Sequence, residues 1–484
     1  MNQSLFTNID DAKNFVKEKF GDNESFDVGI KDMHIWSMPT LLVYMNGLID
    51  AIMLTQLLTL TQPTANQLRR KDELNELEAM NTCFPFHSVT VYDSKDAWTS
   101  SILSGQLGIV TSKGYVFTID VRSYPGRQPE EPDNEKVIRG ARDGFTENIL
   151  QNTALIRRRI RDVSLRFELT KVSKRGQTDI AIAYIKGLAS NEHLNYLRKR
   201  LKEIHHDGMT MADKSLEEWL FKQKFHPVPF VRYTERADTC AAHLLEGHIA
   251  IIVDTSPSAI LVPTTIFHHL QHAEEYRQAP LIGTFVRLSR MAGFLLSLTF
   301  LPFWYLMVKE SKHLPDFLSF IGPKEMAEVP LFLQLVFADL GLEFLRLAAI
   351  HTPTPLSTAM GLVAAIIIGQ IAIDVGLFIP EVVLYTAIAA IFTFAIPSYE
   401  LSVATKIFRN LLLIATAIFG GPGYFVGLLL LFVYMTSIKP MGVPYLWPLV
   451  PFFPKALSRI WVRYPMSSSA LRPFIVQSPN RKRS

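Results

Sequence analysis

Residues 356–373 read LSTAMGLVAAIIIGQIAI and carry no charged side chain. Three other stretches share this property, 291–308, 382–399 and 411–438, and all of them lie after Gly283. An α-helix rises about 1.5 Å per residue, so each stretch is long enough to cross a hydrocarbon layer about 30 Å thick. The sequence therefore predicts an α-helical transmembrane domain of four to five helices in the second half of the chain.

Charged residues are spread throughout the sequence before Gly283, and this difference divides the chain. A front half of about 280 residues is enough for two ordinary domains with their own cores. We expect an N-terminal cytoplasmic α/β subdomain at 1–140, a second at 141–283, the transmembrane domain at 284–438 and a basic cytoplasmic tail at 439–484. The net charge of +4 on 484 residues is too small to indicate a nucleic acid partner.

Two pairs of short segments repeat in the same order along the front half. Residues 42–50 (LVYMNGLID) match 182–190 (IAYIKGLAS), and residues 102–110 (ILSGQLGIV) match 244–252 (LLEGHIAII), each with an offset of about 140 residues. In each copy an alternating strand ends at a Tyr-x-x-Gly-Leu turn, and a Leu-x-Gly sequence leads into a β-hairpin. The repeat predicts two related α/β subdomains; chance similarity between short apolar strings is the alternative.

The charges around the uncharged stretches indicate how the chain is oriented. No cleavable signal is visible at the N-terminus, so we expect the front half to stay in the cytoplasm. After residue 438 every charged side chain is basic: Lys439, Lys455, Arg459, Arg463, Arg472, Arg481, Lys482 and Arg483. The positive-inside rule places such a tail in the cytoplasm, and two cytoplasmic ends require an even number of crossings. Four stretches meet that condition, although Lys406 and Arg409 would then lie in an outward-facing loop.

The apolar segment 331–350 complicates this count, because three charged residues share one helical face: Asp339, Glu343 and Arg346. One interpretation is an amphipathic helix that lies on the membrane or against the soluble domain. The other is a fifth crossing whose charged face lines a wet interior, which would force one end of the chain outside. The sequence leaves both open.

The chain shows no recognisable catalytic or nucleotide-binding motif, since a GxxxxGK[ST] loop, a GxSxG elbow and an HExxH sequence are all absent. His268, His269 and His272 form a small cluster, but a metal ion needs further ligands close in space, so surface or interfacial histidines are favoured. The basic run 157–161 fits a solvated helix face, or a contact with anionic lipid headgroups or an acidic neighbouring subunit. We expect no enzyme, no metal site and no cofactor.

The stretch 356–373 ends in polar residues that suit a pore. Gln370 and Asp374 are one helical turn apart, so they share a face, and apolar residues continue that face. A carboxylate attracts cations, and an apolar constriction closes by excluding water. The pore-lining candidates are Ala359, Val363, Ile366, Ile367, Gln370 and Asp374. Because one helix cannot enclose a pore, this interpretation requires an oligomer; the alternative leaves Asp374 at the membrane surface and Gln370 bonded to a neighbouring helix.

The last uncharged stretch contains four helix-disrupting residues in a row. Proline removes a backbone donor and glycine loosens packing, so this crossing is predicted to be broken or kinked within the membrane. Carbonyl groups freed at that depth must be buried in protein or face water. The hinge candidates are Gly420, Gly421, Pro422 and Gly423, and a plain structural kink is the alternative.

Five segments carry a recognisable pattern: 139–147 (RGARDGFTE), 152–160 (NTALIRRRI), 245–254 (LEGHIAIIVD), 368–373 (IGQIAI) and 396–401 (IPSYEL). In this order they resemble the GerA family, the A subunits of bacterial spore germination receptors, and the resemblance covers most of the chain. It implies an oligomeric, pentameric cation channel in the spore inner membrane that promotes or amplifies germination by ion release.

Some residues depart from the receptor A subunits. The small-residue stretch begins with HTPTPLS at 351–357 instead of a PxPIG-like sequence, and Asp374 and the tripeptide IPE at 379–381 are more polar than their family counterparts. The chain more closely resembles a paralogous branch of the family, encoded among the dipicolinic acid channel genes, and this resemblance argues against direct nutrient sensing. For this branch the resemblance implies a homo-oligomer, with another integral membrane germination protein and germinant receptor complexes as partners and monovalent cations as cargo. A non-conducting scaffold and an accessory of dipicolinic acid transport stay open as alternatives.

Overall fold

A computed structural model of the chain describes residues 4–21, 24–36, 38–60, 76, 80, 84, 89–123, 135–223, 225–310, 322–324, 328–351, 363, 366–465 and 472–480. The chain folds into two compact units. The N-terminal unit comprises Met1–Lys224, Val231–Pro263 and Met466–Ser484, and the helical unit comprises Phe225–Phe230 and Thr264–Pro465. The subdomain boundaries that composition predicts at residues 140, 283 and 438 stay predictions.

The first antiparallel sheet has the strand order β1-β2-β4-β5-β3. Its strands are β1 (Val28–Ile35), β2 (Met38–Met45), β3 (Val89–Val91), β4 (Leu107–Thr111) and β5 (Val116–Ile119). The helices around it are α1 (Ile9–Phe20), α2 (Ala51–Leu60) and α3 (Lys95–Leu103). Strand β2 is buried on both faces, because Leu41 and Val43 pack with α1 and α3 while Leu42 packs with α2.

The second antiparallel sheet has the strand order β6-β7-β9-β10-β8. Its strands are β6 (Leu165–Val172), β7 (Thr178–Ile185), β8 (Arg232–Thr234), β9 (Ile249–Val253) and β10 (Ala259–Val262). The helices around it are α4 (Ile149–Arg159), α5 (Asn191–Lys202), α6 (Ala212–Phe221) and α7 (Ala237–Glu246). Helices α4 and α7 bury their apolar faces against this sheet in one core.

The two sheets have the same topology, and their register agrees with the sequence repeat. Leu42 pairs with Ile109 in the first sheet, and their aligned residues Ile182 and Ile251 pair in the second. The glycines of the two Tyr-x-x-Gly-Leu turns both take a positive φ, 81° at position 47 and 84° at position 187, which glycine adopts without steric cost. The predicted pair of related α/β subdomains is therefore confirmed.

A buried ion pair joins the two copies. Arg157 Nε donates to Asp27 Oδ2 across 2.8 Å, and the side chains are 1% and 2% exposed. The same guanidinium donates to the carbonyl groups of Asp162 and Leu165. Both interpretations of the basic run 157–161 are thus wrong for Arg157, because it points into the protein and holds the first copy against the second.

The helical unit contains seven described α-helices: α8 (Ile266–Leu270), α9 (Ala273–Arg277), α10 (Pro280–Lys309), α11 (Leu331–His351), α12 (Pro380–Phe394), α13 (Tyr399–Ser437) and α14 (Pro454–Trp461). A helical segment also runs through a π turn at Ile367–Ile371 and continues through Ala372–Asp374. By length and composition, two of the described helices could cross a membrane, α10 and α13.

Helix α13 reverses direction at Gly420, whose φ of 62° and ψ of −139° leave the helical region. The rings of Phe408 and Tyr434 lie 5.8 Å apart, and a Cβ on Gly423 would lie 2.1 Å from the carbonyl oxygen of Ala415. Such contacts are impossible along one straight helix, so α13 is a hairpin. We call residues 399–419 its first arm and 421–437 its second arm; at about 1.5 Å per residue they measure about 31 Å and about 26 Å.

Contacts at the end of α10 define one end of the helical unit, which we call the second end. Lys309 Nζ donates to the carbonyl oxygen of Ala417 in the first arm, 2.8 Å away. The ring of Phe332, at the start of α11, lies 6.3 Å from that of Tyr305 in α10. Near the start of α12, the backbone N–H of Ile379 donates to Gln334 Oε1 of α11 at 2.9 Å. Helices α11 and α12 therefore start where α10 and the first arm finish.

The opposite end, which we call the first end, holds the start of α10. A Cβ on Gly293 of α10 would lie 3.3 Å from the Cβ of Ala395, just past α12. Arg346, in the last turns of α11, donates to Ser402 Oγ at the start of the first arm, 3.1 Å away. The last turns of α11 thus lie beside the start of the first arm, whereas Ile379 lies at the second end.

These directions correct three expectations about the membrane crossings. The single crossing predicted at 411–438 is wrong, because that stretch turns back on itself at Gly420. Lys406 and Arg409 belong to the first arm and not to an outward-facing loop. The stretch 382–399 corresponds to α12 and a break, after which Ser398 Oγ caps α13 by accepting from the N–H of Leu401. Most of 356–373 lies outside the described residues.

Candidate functional site

Arg409 lies at the middle of the helical unit and is completely buried. It is ten residues from the start of the first arm, about 15 Å along the axis. Its guanidinium donates to the carbonyl oxygen of Ser297 and to Thr393 Oγ1, both at 3.2 Å, and to a carboxylate oxygen of Asp339. Asn410 Nδ2 donates to the other oxygen of Asp339 at 3.2 Å. Helices α10, α11, α12 and the first arm therefore meet at one side chain.

A second group of charges lies nearer the first end, between the same two helices, α11 and the first arm. Glu343 accepts from Arg346 at 2.6 Å and forms an ion pair with Lys406. The Arg346 guanidinium also stacks over the ring of Tyr399, 4.8 Å from its centroid. The charged face of α11 therefore neither lines a wet interior nor lies on a surface, because its carboxylates pair with bases from the first arm.

We call the five charged residues the ionic network: Asp339, Glu343, Arg346, Lys406 and Arg409. Ionisable side chains among apolar helices are costly unless they are paired, and within membranes they commonly mark functional positions. The pairing spans two helices and repeats every three or four residues on each, so it fixes both their rotation and their axial register. The ionic network therefore holds α11 and the first arm rigidly against each other.

The predicted pore-lining residues are exposed wherever the structure describes them. Val363, Ile366 and Ile367 are 55%, 54% and 50% exposed, and Gln370 and Asp374 are exposed as well. Ala359 lies outside the described residues. The segment adopts a π turn at Ile367–Ile371, a geometry found often at functional sites. The described residues of this face are thus exposed in a single chain, and the pore-lining role stays a prediction.

The predicted hinge residues form the turn between the two arms of α13. Gly420 supplies the positive φ, and Gly423 allows the arms to approach so closely that a side chain would collide with the first arm. A reversal frees carbonyl groups, and Lys309 occupies one of them by donating to Ala417. The four residues build a tight turn; movement at this turn stays a prediction.

Two of the three clustered histidines cap the starts of short helices. His268 Nδ1 caps α8 by accepting from the N–H of Thr265, and His272 Nδ1 caps α9 by accepting from the N–H of Glu274. The ring of His269 lies 6.3 Å from that of Tyr445, whose burial raises the pKa of its hydroxyl well above the usual value. Within the described residues, no three His, Cys, Asp or Glu side chains gather as metal ligands would.

Sequence reasoning missed the partners of the charged α11 face. The spacing in the sequence puts Asp339, Glu343 and Arg346 on one helical face, but the uncharged stretches put Lys406 and Arg409 in a loop. The signal was present: the acids on α11 are four residues apart and the bases on the first arm three apart. Two antiparallel helices with these spacings bring each acid next to one base.

Comparison with known proteins agrees with the pattern in the sequence. The profile of the family described as "Bacillus/Clostridium GerA spore germination protein" matches residues 14–475. Stage V sporulation protein AF of Bacillus subtilis (strain 168) is 50% identical over 475 residues, which cover 98% of this chain and 96% of that protein. Spore germination protein KA of the same organism is 28% identical over 481 residues, covering 98% and 88%.

A solved structure is also similar. The N-terminal domain of the A subunit of the Bacillus megaterium spore germinant receptor GerK3 matches with a TM-score of 0.41 and 26% identity, over 54% of this chain and 97% of that domain. The likeness to stage V sporulation protein AF confirms the closer resemblance to the paralogous branch. On the family match along nearly its whole length, the chain belongs to the GerA family of spore germination proteins.

Proposed function

We propose that this protein is a subunit of an oligomeric cation channel in the spore inner membrane, and that it promotes germination by releasing ions. The observation that carries the proposal is the uncovered face of the segment 366–374. Its exposed Gln370 and Asp374 follow exposed Ile366 and Ile367, so copies of the segment around an axis would place a carboxylate ring beside an apolar constriction.

The ionic network supports this arrangement. A pore helix needs a fixed scaffold behind it, and Arg409 ties α10, α11, α12 and the first arm together at mid-height. The unit can therefore hold a rigid outer shape while the uncovered segment faces its neighbours. Five copies and monovalent cations are what the family resemblance implies, and a ring of carboxylates attracts cations.

The orientation follows from the charges at the first end. The residues from 439 to 465 carry only basic charges, at Lys439, Lys455, Arg459 and Arg463, and Arg459 and Arg463 lie beside the first turns of α10. The positive-inside rule assigns such an end to the cytoplasm. The N-terminal unit and the tail would then both be cytoplasmic. Its partners would be further copies of this chain, another integral membrane germination protein and germinant receptor complexes.

Ion flux through purified protein tests the proposal. Proteoliposomes loaded with potassium should lose it faster than empty vesicles, and Asp374→Asn should slow the loss because the carboxylate ring is removed. Glu328→Gln is the matched control: Glu328 is an exposed carboxylate just before α11, at the second end, and its removal should leave flux unchanged. Absence of flux from the wild-type protein, in vesicles and in planar bilayers, would favour the non-conducting scaffold instead.

A further inference from the structure

The short helix α14 carries two kinds of exposed side chain side by side. Lys455 and Arg459 are one turn apart and both exposed, while Leu457 is buried. Large apolar side chains flank them: Phe452 is 65% exposed and Trp461 49%. Exposed aromatic rings of this size, clustered on one surface, are typical of a site that contacts a membrane or another molecule.

The position of α14 is fixed at the first end by α10. Arg287 of α10 donates to the carbonyl oxygens of Arg459 and Ile460, both at 3.1 Å, and so caps the last turn of α14. The backbone N–H of Arg463 donates to Thr284 Oγ1 of α10 at 3.0 Å. The helix therefore lies beside the first turns of α10 and cannot swing away freely.

The first turns of α10 continue the apolar surface beside α14. Leu281 is 82% exposed and Phe285 71%. They belong to the same helix that is long and apolar enough to cross a membrane. The aromatic side chains around α14 are thus level with the point where the apolar surface of α10 begins. Aromatic rings at this level, next to basic side chains, are typical of the membrane–water interface.

The charged residues around α14 indicate which kind of molecule binds there. Residues 439–465 contain Lys439, Lys455, Arg459 and Arg463 and no acidic residue. Glu275 contacts the same Arg287 that caps α14, but its carboxylate is fully buried and already paired with Arg287 and Arg290, at 2.7 and 2.6 Å. An anionic group is therefore favoured over a cationic or neutral one.

We propose that Phe452, Lys455, Arg459 and Trp461 form an interfacial site that binds the headgroups of anionic phospholipids. The aromatic rings lie among the upper acyl chains, and Lys455 and Arg459 contact the phosphates. This site requires the protein to reside in a membrane, which the proposed function assumes, but it does not require ion conduction. A protein partner on the same surface is the competing occupant.

Lipid binding to the purified full-length protein tests the proposal. The delipidated protein in detergent is titrated with phosphatidylglycerol or phosphatidylcholine, and bound lipid is counted by native mass spectrometry. We expect preferential binding of phosphatidylglycerol, weakened by high salt. Lys455→Gln/Arg459→Gln should weaken it roughly 30-fold, because each basic residue near an anionic surface contributes about 1 kcal/mol, and should leave phosphatidylcholine binding unchanged.

Lys199→Gln/Lys202→Gln is the matched control, since both lysines are exposed on helix α5 of the N-terminal unit; this variant should keep the wild-type preference. Equal binding of the two lipids by the wild-type protein would overturn the proposal. So would an unchanged preference in the Lys455/Arg459 variant, including the case where that variant instead loses a co-purifying protein. A lipid preference without potassium flux would leave this site standing and remove only the channel.

Discussion

The rings of Phe408 and Tyr434 lie 5.8 Å apart although both belong to the continuous helical stretch Tyr399–Ser437. In a straight helix, two residues 26 positions apart would be separated by about 39 Å along the axis. The stretch is therefore a hairpin, and its two arms add two passes where the sequence indicates one.

Close contact between the arms depends on Gly423. A Cβ there would lie 2.1 Å from the Ala415 carbonyl oxygen, whereas a Cβ on Gly421 would meet nothing within 4 Å. We expect Gly423→Ala to destabilise the protein by about 1–3 kcal/mol through overpacking, and Gly421→Ala to have little effect. Thermal unfolding in detergent, followed by tryptophan fluorescence, measures both. Equal midpoints for the two variants would show that the arms do not touch as described.

The sequence predicts the N-terminal unit far better than the helical unit, for a physical reason. Segments 42–50 and 182–190 each hold the apolar end of a strand and a turn glycine, so local sequence specifies each copy and the repeat supports it. In the helical unit, an uncharged stretch such as 411–438 shows only that its residues tolerate an apolar environment. Length alone cannot separate one kinked crossing from a turn and its second arm.

The charged residues made the predicted order of crossings wrong for a related reason. Arg409 looks incompatible with an apolar layer until its partner is known, and Asp339 lies 70 residues away in the sequence. Only the tertiary pairing neutralises both, so a residue-by-residue hydropathy argument places Arg409 in a loop. The Gln370 and Asp374 face illustrates the opposite limit: its periodicity is readable in the sequence, but a single chain does not show what this face contacts.

The pair Asp339–Arg409 should be a major stabilising element of the helical unit. Asp339→Asn leaves a buried guanidinium without its counter-charge, so we expect a loss of about 3 kcal/mol or more. Asp339→Leu/Arg409→Met should recover most of that loss, because both charges leave together. Asp374→Asn, at an exposed carboxylate, should leave unfolding unchanged. Thermal unfolding of the four proteins measures these differences; a double variant no more stable than Asp339→Asn would contradict the pairing.

In the N-terminal unit, Asp27–Arg157 should matter far more than a surface pair of similar length. Asp27→Asn removes the carboxylate that Arg157 contacts at 2.8 Å inside the protein, and we expect about 3–5 kcal/mol of destabilisation. Lys13–Asp32 has its atoms 2.6 Å apart, but both side chains are solvent-accessible, so Asp32→Asn should change little. Limited proteolysis of the full chain against temperature compares the two. Similar protection of both variants would mean that Arg157 does not hold the copies together.

His248 should make the N-terminal unit sensitive to acid. The side chain is fully buried at the start of the hairpin of β9 and β10, with Nδ1 3.2 Å from the His243 carbonyl oxygen. Burial, with a smaller contribution from Arg232, lowers the pKa of His248 from 6.5 to about 4. Between pH 6.5 and pH 4, His248 is protonated in the unfolded chain but neutral in the folded chain. The free energy of unfolding therefore falls as the pH drops from 6.5 to 4, and the contribution of neutral His248 is fully present above pH 6.5.

The full pKa shift of His248 corresponds to about 3 kcal/mol of unfolding free energy. His248→Asn keeps a side-chain N–H that can donate to His243 and cannot titrate, so this variant should lose about 3 kcal/mol less than the wild-type protein over the same pH range. His205→Asn, at an exposed histidine, controls for the loss of a histidine and should retain the wild-type dependence. Chemical unfolding at pH 6.5 and pH 4 gives the three differences. Parallel pH dependence of wild type and His248→Asn would mean that His248 is protonated while buried, and that the cause of acid sensitivity lies elsewhere.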